Sequence, residues 1–323
     1  MITGYVADGG RLRAAGDALA SLRDVVWIDL VSPTDEEERA LEAGLGIDVP
    51  TREEMAQIEV SSRLYFENGT AFMTATLPAR TDSDDLLMGP VAFVLAGKKL
   101  ITVRYHEPRP FRTFPERAEK TSLGCVDGEN VLIALLEATV ERLADILERA
   151  ERDVDDISRE IFREDGTPKA RNRDLTKVLQ RIGRKGDFSS HIRDSLVSIQ
   201  RLAGFFGHIE AQRSDAKELK ARIKTLGRDV LALTDHSSFL SQKITFLLDA
   251  TLGMISIEQS NIIKIFTIAA GVFLPPTLIA SIYGMNFVHM PELRWVYGYP
   301  LACLLMVLSA IVPWWWFKRR GWL

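Results

Sequence analysis

IFTIAAGVFLPPTLIASIY (Ile265–Tyr283) and VYGYPLACLLMVLSAIVPWWWF (Val296–Phe317) are the stretches that decide the architecture. They run for 19 and 22 residues without a charged side chain. A helix rises about 1.5 Å per residue and a bilayer's hydrocarbon core is about 30 Å thick, so each run just spans it. The chain is expected to end in a hairpin of two membrane helices. The short loop between them begins Gly284-Met285-Asn286.

The average composition conceals this ending. Mean hydropathy is +0.01, and charged residues make up 26% of the chain, as in a soluble protein. The charge is segregated: of 44 Asp and Glu residues, only Glu292 lies after residue 261. The first 260 residues are therefore a water-soluble part, long enough for one α/β domain and an extended helical region. A net charge of -4 and the lack of a basic stripe argue against nucleic acid as a partner. The two cysteines, Cys125 and Cys303, lie too far apart in sequence to suggest a disulfide scaffold or a cysteine zinc site.

Residues 1–20 hold no apolar core of signal-peptide length, so the soluble part is expected in the cytoplasm. Lys264 precedes the first span, and Lys318, Arg319 and Arg320 follow the second. By the positive-inside rule both termini are cytoplasmic and the loop faces out. Trp314, Trp315, Trp316 and Trp322 form an aromatic belt at the inner interface.

Residues 1–125 read as a mixed α/β domain. Val25–Leu30 is a short strand, and Ser32-Pro33 is expected to open a helix with serine as its cap. Thr51 with Glu54 is a capping box for a second helix. Asn68-Gly69 between Arg63–Phe66 and Thr70–Leu77 signals a hairpin, as does Gly97-Lys98 between Val91–Leu95 and Leu100–Val103.

Residues 126–261 read as a helical stalk. Leu132, Leu136, Val140, Leu143, Leu147, Ala150, Val154, Ile157 and Ile161 recur at spacings of three and four, giving a coiled-coil-like seam. Asp165-Gly166-Thr167-Pro168 is expected to break it, and a second helix to end near Gln212–Ser214. A third seam runs Ile223, Leu226, Val230, Leu233, Ser237, Leu240, Ile244, Leu247. No proline intervenes before Pro275, so one helix is predicted from about Lys217 to Tyr283. The membrane hairpin, 262–323, follows with a first span at about 262–283, an outer loop at 284–295 and a second span at about 296–317.

The same spacing carried into the membrane gives Ser256, Ser260, Ile263, Thr267, Ala270, Leu274, Thr277 and Ser281, ending at Gly284. This face is small and hydroxyl-bearing, interrupted by Ile263 and Leu274. Small and hydroxyl residues serve either a packing seam or a pore lining. Two spans per chain cannot enclose a water path, so a pore requires several copies. Neither span holds Asp, Glu or His, which a proton relay normally needs. A lining of hydroxyls, amides and carbonyls suits a hard hydrated cation such as Mg²⁺.

Tyr283-Gly284-Met285-Asn286-Phe287, Met290-Pro291-Glu292-Leu293, Gly298-Tyr299-Pro300 and the ending Lys318-Arg319-Arg320-Gly321-Trp322-Leu323 together resemble the CorA family of divalent-cation channels. Ile262-Ile263-Lys264-Ile265-Phe266 and Phe273-Leu274-Pro275-Pro276-Thr277-Leu278 resemble its pore helix. The resemblance covers roughly Glu258–Leu323. It implies a CorA-like funnel, assembled as a homopentamer in the inner membrane. It implies inward passage of Mg²⁺, with Co²⁺ and Ni²⁺ as further ions. Gly284, Met285 and Asn286 would form the selectivity filter, with Asn286 meeting hydrated Mg²⁺, and Glu292 of the outer loop would attract cations. Mg²⁺ bound between cytoplasmic domains would favour closure. Candidate ligands there are Asp82, Asp84, Asp85, Asp229, Asp235 and Asp249.

Two other readings compete. A ZntB-like zinc transporter shares the architecture, but Met290-Pro291-Glu292-Leu293 resembles the magnesium branch and the five histidines form no cluster in sequence. A non-conducting, membrane-anchored coiled-coil scaffold explains the heptads but not the small polar stripe. An enzyme is not expected: the chain has no phosphate-binding glycine loop and no nucleophile–base pattern.

Overall fold

The computed structural model describes residues 1–16, 22–82, 86–162, 174–211, 217–285, 290 and 295–322. The expected break at 165–168 and helix end at 212–214 lie outside the described residues, as do Asp84, Asp85, Asn286 and Glu292. The chain forms two compact units, Met1–Leu248 and Asp249–Leu323.

In the first unit, seven strands make one mixed sheet in the order β2-β1-β3-β7-β6-β5-β4. They are β1 (Ile2–Asp8), β2 (Arg11–Ala15), β3 (Val25–Val31), β4 (Leu64–Glu67), β5 (Thr70–Ala79), β6 (Leu87–Ala96) and β7 (Lys99–Arg104). Only β3 and β7 pair in parallel, with Ile28 opposite Ile101. Both predicted hairpins form. Asn68 and Gly69 adopt positive φ (49° and 82°), as a two-residue turn matching the strand twist requires. The central strands are buried on both faces, which is why they read as unbroken apolar runs.

Alternation along β3 separates the two faces. Ile28 and Leu30 join a cluster with Leu41 and Met55, from α1 (Asp35–Leu45) and α2 (Arg52–Ala56). Trp27 and Asp29 belong to the other face. There Trp27 meets Phe111 and Phe114 of α4 (Arg109–Lys120), with ring centroids at 6.4 and 5.8 Å. Asp29 is buried with Arg104, Nη2 to Oδ2 at 2.9 Å, and also accepts from Thr102 Oγ1 at 2.7 Å. Each charge is compensated, so removing either one would strand its partner in a dry core.

The helix after β3 starts two residues later than Ser32-Pro33 suggested. Thr34 is the cap, and it forms a reciprocal capping box with Glu37. Ser32 instead sits at φ 43° and donates its N–H to the Arg104 carbonyl at 2.8 Å, prolonging the strand pairing. The capping box at Thr51 and Glu54 forms as expected. A four-residue helix, α3 (Val60–Arg63), leads into β4.

Two long helices follow, α5 (Gly128–Phe162) and α6 (Leu175–Ala211), and then α7 (Lys217–Tyr283). All nine predicted seam residues of α5 are buried. α5 begins hard against the β6–β7 turn: Gly128 donates to Lys98 O at 2.7 Å, and a Cβ there would stand 2.4 Å from Leu100 N. Only glycine fits that approach. Ion pairs tie the three helices together, among them Arg222–Glu137, Lys185–Asp153, Arg181–Glu160 and Lys243–Asp155. On α7, Ile223, Leu226, Val230, Ser237, Leu240, Ile244 and Leu247 are buried, whereas Leu233 is half-buried.

The second unit holds the remainder of α7 and α8 (Gly298–Arg319). α7 is one uninterrupted 67-residue helix with the predicted ends, and it continues through Pro275 and Pro276. Both helices are long and apolar enough to cross a membrane.

Candidate functional site

The stripe residues Ser256, Ser260, Ile263, Thr267, Ala270, Leu274, Thr277 and Ser281 are all exposed. Between Ile265 and Tyr283, the residues that are not fully exposed are Ile268, Gly271, Val272, Pro275, Pro276, Ile279 and Tyr283. One member of this second set meets α8: a Cβ on Gly271 would lie 2.9 Å from the ring of Phe317, a buried residue of α8. At 3.6 residues per turn the two sets point roughly 150° apart. The hydroxyl stripe therefore points away from the Gly271–Phe317 contact with α8.

The stripe hydroxyls are oriented by their own helix. Ser260 Oγ donates to Ser256 O at 2.9 Å, and Thr267 Oγ1 to Ile263 O at 2.8 Å. Thr277 Oγ1 donates to Phe273 O at 3.0 Å and Leu274 O at 2.8 Å. With the proton committed to a backbone carbonyl, each oxygen keeps lone pairs free to accept. Water in a cation's hydration shell directs its hydrogens outward, so such a face matches a hydrated cation.

At the loop end of α7, Gly284 donates to Ala280 O at 2.9 Å and Met285 to Ile282 O at 3.3 Å. A Cβ on Gly284 would lie 3.1 Å from the Ala280 carbonyl, so the close turn favours glycine. Asn286 and Glu292 lie outside the described residues.

The acidic candidates fall into two groups. Asp229, Asp235 and Asp249 are exposed on α7. Asp82 is instead engaged by arginines far away in sequence. Its Oδ1 accepts from Arg142 Nη2 at 2.7 Å and Arg149 Nη1 at 3.3 Å, and its Oδ2 from Arg109 Nη1 at 2.9 Å. The bond from Arg142 leads in holding this carboxyl below the usual carboxylate range. Asp84 and Asp85 lie outside the described residues. Among the described residues, no group of three or more His, Cys, Asp or Glu side chains forms a metal-sized cluster.

Sequence reasoning did not anticipate this arginine grip, since no local pattern joins positions sixty residues apart. It also missed a local feature on α8: Lys318, Arg319 and Arg320 stack on Trp314, Trp315 and Trp316 at distances of 4.9, 3.8 and 4.8 Å from the ring centroids. Their i,i+4 spacing could have revealed it.

These elements define an integral membrane protein with a large soluble part and two C-terminal spans. Residues 23–319 match the family model described as CorA-like Mg2+ transporter protein. Similar along its whole length is the Magnesium transport protein CorA of Pasteurella multocida, 36% identical with both chains fully covered. The protein of the same name from Pectobacterium atrosepticum is 37% identical, again over all of both chains. Among solved structures, the CorA magnesium transporter from Methanocaldococcus jannaschii superposes with a TM-score of 0.79 at 20% identity, covering 100% of this chain and 99% of that one. The chain belongs to the CorA family, whose members are transporters and not enzymes.

Proposed function

We propose that this protein conducts Mg²⁺ inward across the cell's inner membrane, with Co²⁺ and Ni²⁺ as further substrates. The observation that carries the proposal is the exposed oxygen-bearing face of α7, directed away from the Gly271–Phe317 contact with α8. One chain exposes this face and cannot enclose it, so identical chains must supply the other walls. Family membership makes a homopentamer the assembly to test. Ile263 and Leu274, both 64% exposed, then form apolar rings within the hydroxyl lining, where dewetting can gate the path. Leu231, Phe239 and Phe246 are likewise exposed apolar residues on the soluble stretch of α7, a surface suited to contact between copies.

In this reading residues 1–125 form the cytoplasmic α/β domain, 126–261 the stalk and 262–323 the membrane hairpin, with both termini inside. Gly284, Met285 and Asn286 form the filter: an Asn286 side chain from each copy accepts hydrogen bonds from the water shell of Mg²⁺, which gives up water reluctantly. Glu292 adds negative charge outside. Asp229, Asp235 and Asp249 are free to meet hydrated Mg²⁺ at the cytoplasmic surface and favour closure. Asp82, held by three arginines, is the weakest ligand of that set.

Flux into liposomes carrying the purified protein tests the proposal, with Mg²⁺ and Zn²⁺ dyes read in parallel, with and without a proton gradient. Mg²⁺ entry driven by membrane potential and indifferent to the proton gradient is expected. Zn²⁺ entry that needs the proton gradient, with little Mg²⁺ flux, would refute it.

A further inference from the structure

We propose that the C-terminal end of α8 is a preformed docking collar for anionic phospholipid headgroups, with Lys318, Arg319 and Arg320 as the cations and Trp314, Trp315 and Trp316 as their supports. The inference rests on the two-span reading but not on the identity of the ion conducted.

Each cation sits over the ring four residues before it. A cation held over a ring face keeps N–H groups that can still bind phosphate. The pairing also restrains long side chains that would otherwise lose entropy on binding.

The placement around α8 is specific. Consecutive helical residues step by about 100°, so Trp314, Trp315 and Trp316 sweep roughly 200° of the surface. The next residue, Phe317, is turned inward, 7% exposed against Gly271. The three stacked pairs thus occupy the part of α8 that packing against α7 leaves open. The height is also right. Tyr299 and Trp316 are separated by about 26 Å of helix, close to the hydrocarbon thickness, so the collar falls at headgroup level.

Among the described residues of Asp249–Leu323 none of the three cations forms an ion pair with a carboxylate, and Glu292 is the one acidic side chain after residue 261. The negative end of the helix dipole offsets about half a charge, against three. Basic residues directly beside a span attract anionic lipid. Here they are already arranged to receive it.

The test uses the full-length protein in phosphatidylcholine liposomes containing acyl-brominated phosphatidylglycerol or, at the same mole fraction, acyl-brominated phosphatidylcholine. Trp314, Trp315, Trp316 and Trp322 lie at this end of α8, so quenching of tryptophan fluorescence reports the lipid around it. At low salt the relative association constant should favour phosphatidylglycerol about five-fold or more. It should fall towards one in the K318Q/R319Q/R320Q variant. High salt on the unaltered protein should lower it too, a check that needs no variant to insert correctly. A ratio of one in the unaltered protein at low salt would overturn the proposal. So would a ratio untouched by both the triple substitution and salt, or a triple variant that loses its oligomeric state while its lipid preference stays the same; the last outcome would mean the cations pair with carboxylates of another copy. No ion flux is read, so failure here leaves the transport reading intact.

Discussion

Gly271 of α7 and Phe317 of α8 lie so close that a Cβ on the glycine would stand 2.9 Å from Cε2 of the ring. The neighbouring Ala270 is exposed, on the hydroxyl face. On the proposed pore reading, the pair separates a packing position from a conducting one. G271V should force the two spans apart at an overpacking cost of about 1–3 kcal/mol, lowering the thermal midpoint in detergent. A270V should leave that midpoint unchanged and reduce Mg²⁺ flux by narrowing the path. Equal stability losses in both variants would mean that the exposed face is itself a tight seam.

Asn286→Ala should abolish or degrade Mg²⁺ selectivity while the oligomer stays intact. In the proposed filter the amide oxygen would accept from the cation's water shell, which a methyl group cannot do. Flux assays across Mg²⁺, Co²⁺ and Ni²⁺, paired with size-exclusion chromatography, would check this. Wild-type Mg²⁺ selectivity and rate in the variant would remove Asn286 from the filter.

On the proposed closure by internal Mg²⁺, D229N/D235N/D249N should stay open at concentrations that close the parent. The three carboxylates are exposed, so neutralising them costs little folding energy. The inhibition curve of uptake against internal Mg²⁺ is the readout, and it should move to higher concentration. D82N is the informative contrast. It should lower stability by releasing Arg109, Arg142 and Arg149, with little effect on the curve.

Much of this was legible in sequence because the relevant physics is local. α7 ends at Tyr283, just before the loop glycine, as expected, and the α5 seam is buried throughout. The hairpins at Asn68-Gly69 and Gly97-Lys98 follow from turn chemistry. Ser32 misled because serine before proline looks like a cap, while Thr34 and Glu37 satisfy two N–H groups at once. β1 and β2 escaped notice although Gly9-Gly10 joins them, and α4 because it carries Pro110 and Pro115. The exposed side of the hydroxyl stripe needed coordinates, because spacing alone cannot tell a lining from a seam. The Gly271–Phe317 contact places α8 on the side of α7 away from the stripe.

His106 gives the α/β domain a pH dependence that can be isolated. Its Nε2 lies 2.9 Å from the Leu77 carbonyl, which can only accept, so Nε2 carries the proton of the neutral ring. The other edge of the ring faces Gly89, where a Cβ would come within 2.7 Å of Nδ1. Burial pushes the ring's pKa below its ordinary value, and the nearby Arg104 charge adds to this against the opposing bond to Leu77. The unfolded chain therefore takes up a proton at a higher pH than the folded chain does. The stabilisation is complete above the ordinary histidine pKa of about 6.5 and is lost as pH falls from there through the folded value. His106→Gln retains a donor for Leu77 and cannot titrate. Its thermal midpoint should fall less steeply than the parent's as pH drops below about 6.5. The comparison is made on the full chain in detergent, so the other histidines contribute equally to both curves. Parallel curves would mean that the ring is neutral in both states or protonated in both, and that its burial does not govern its charge.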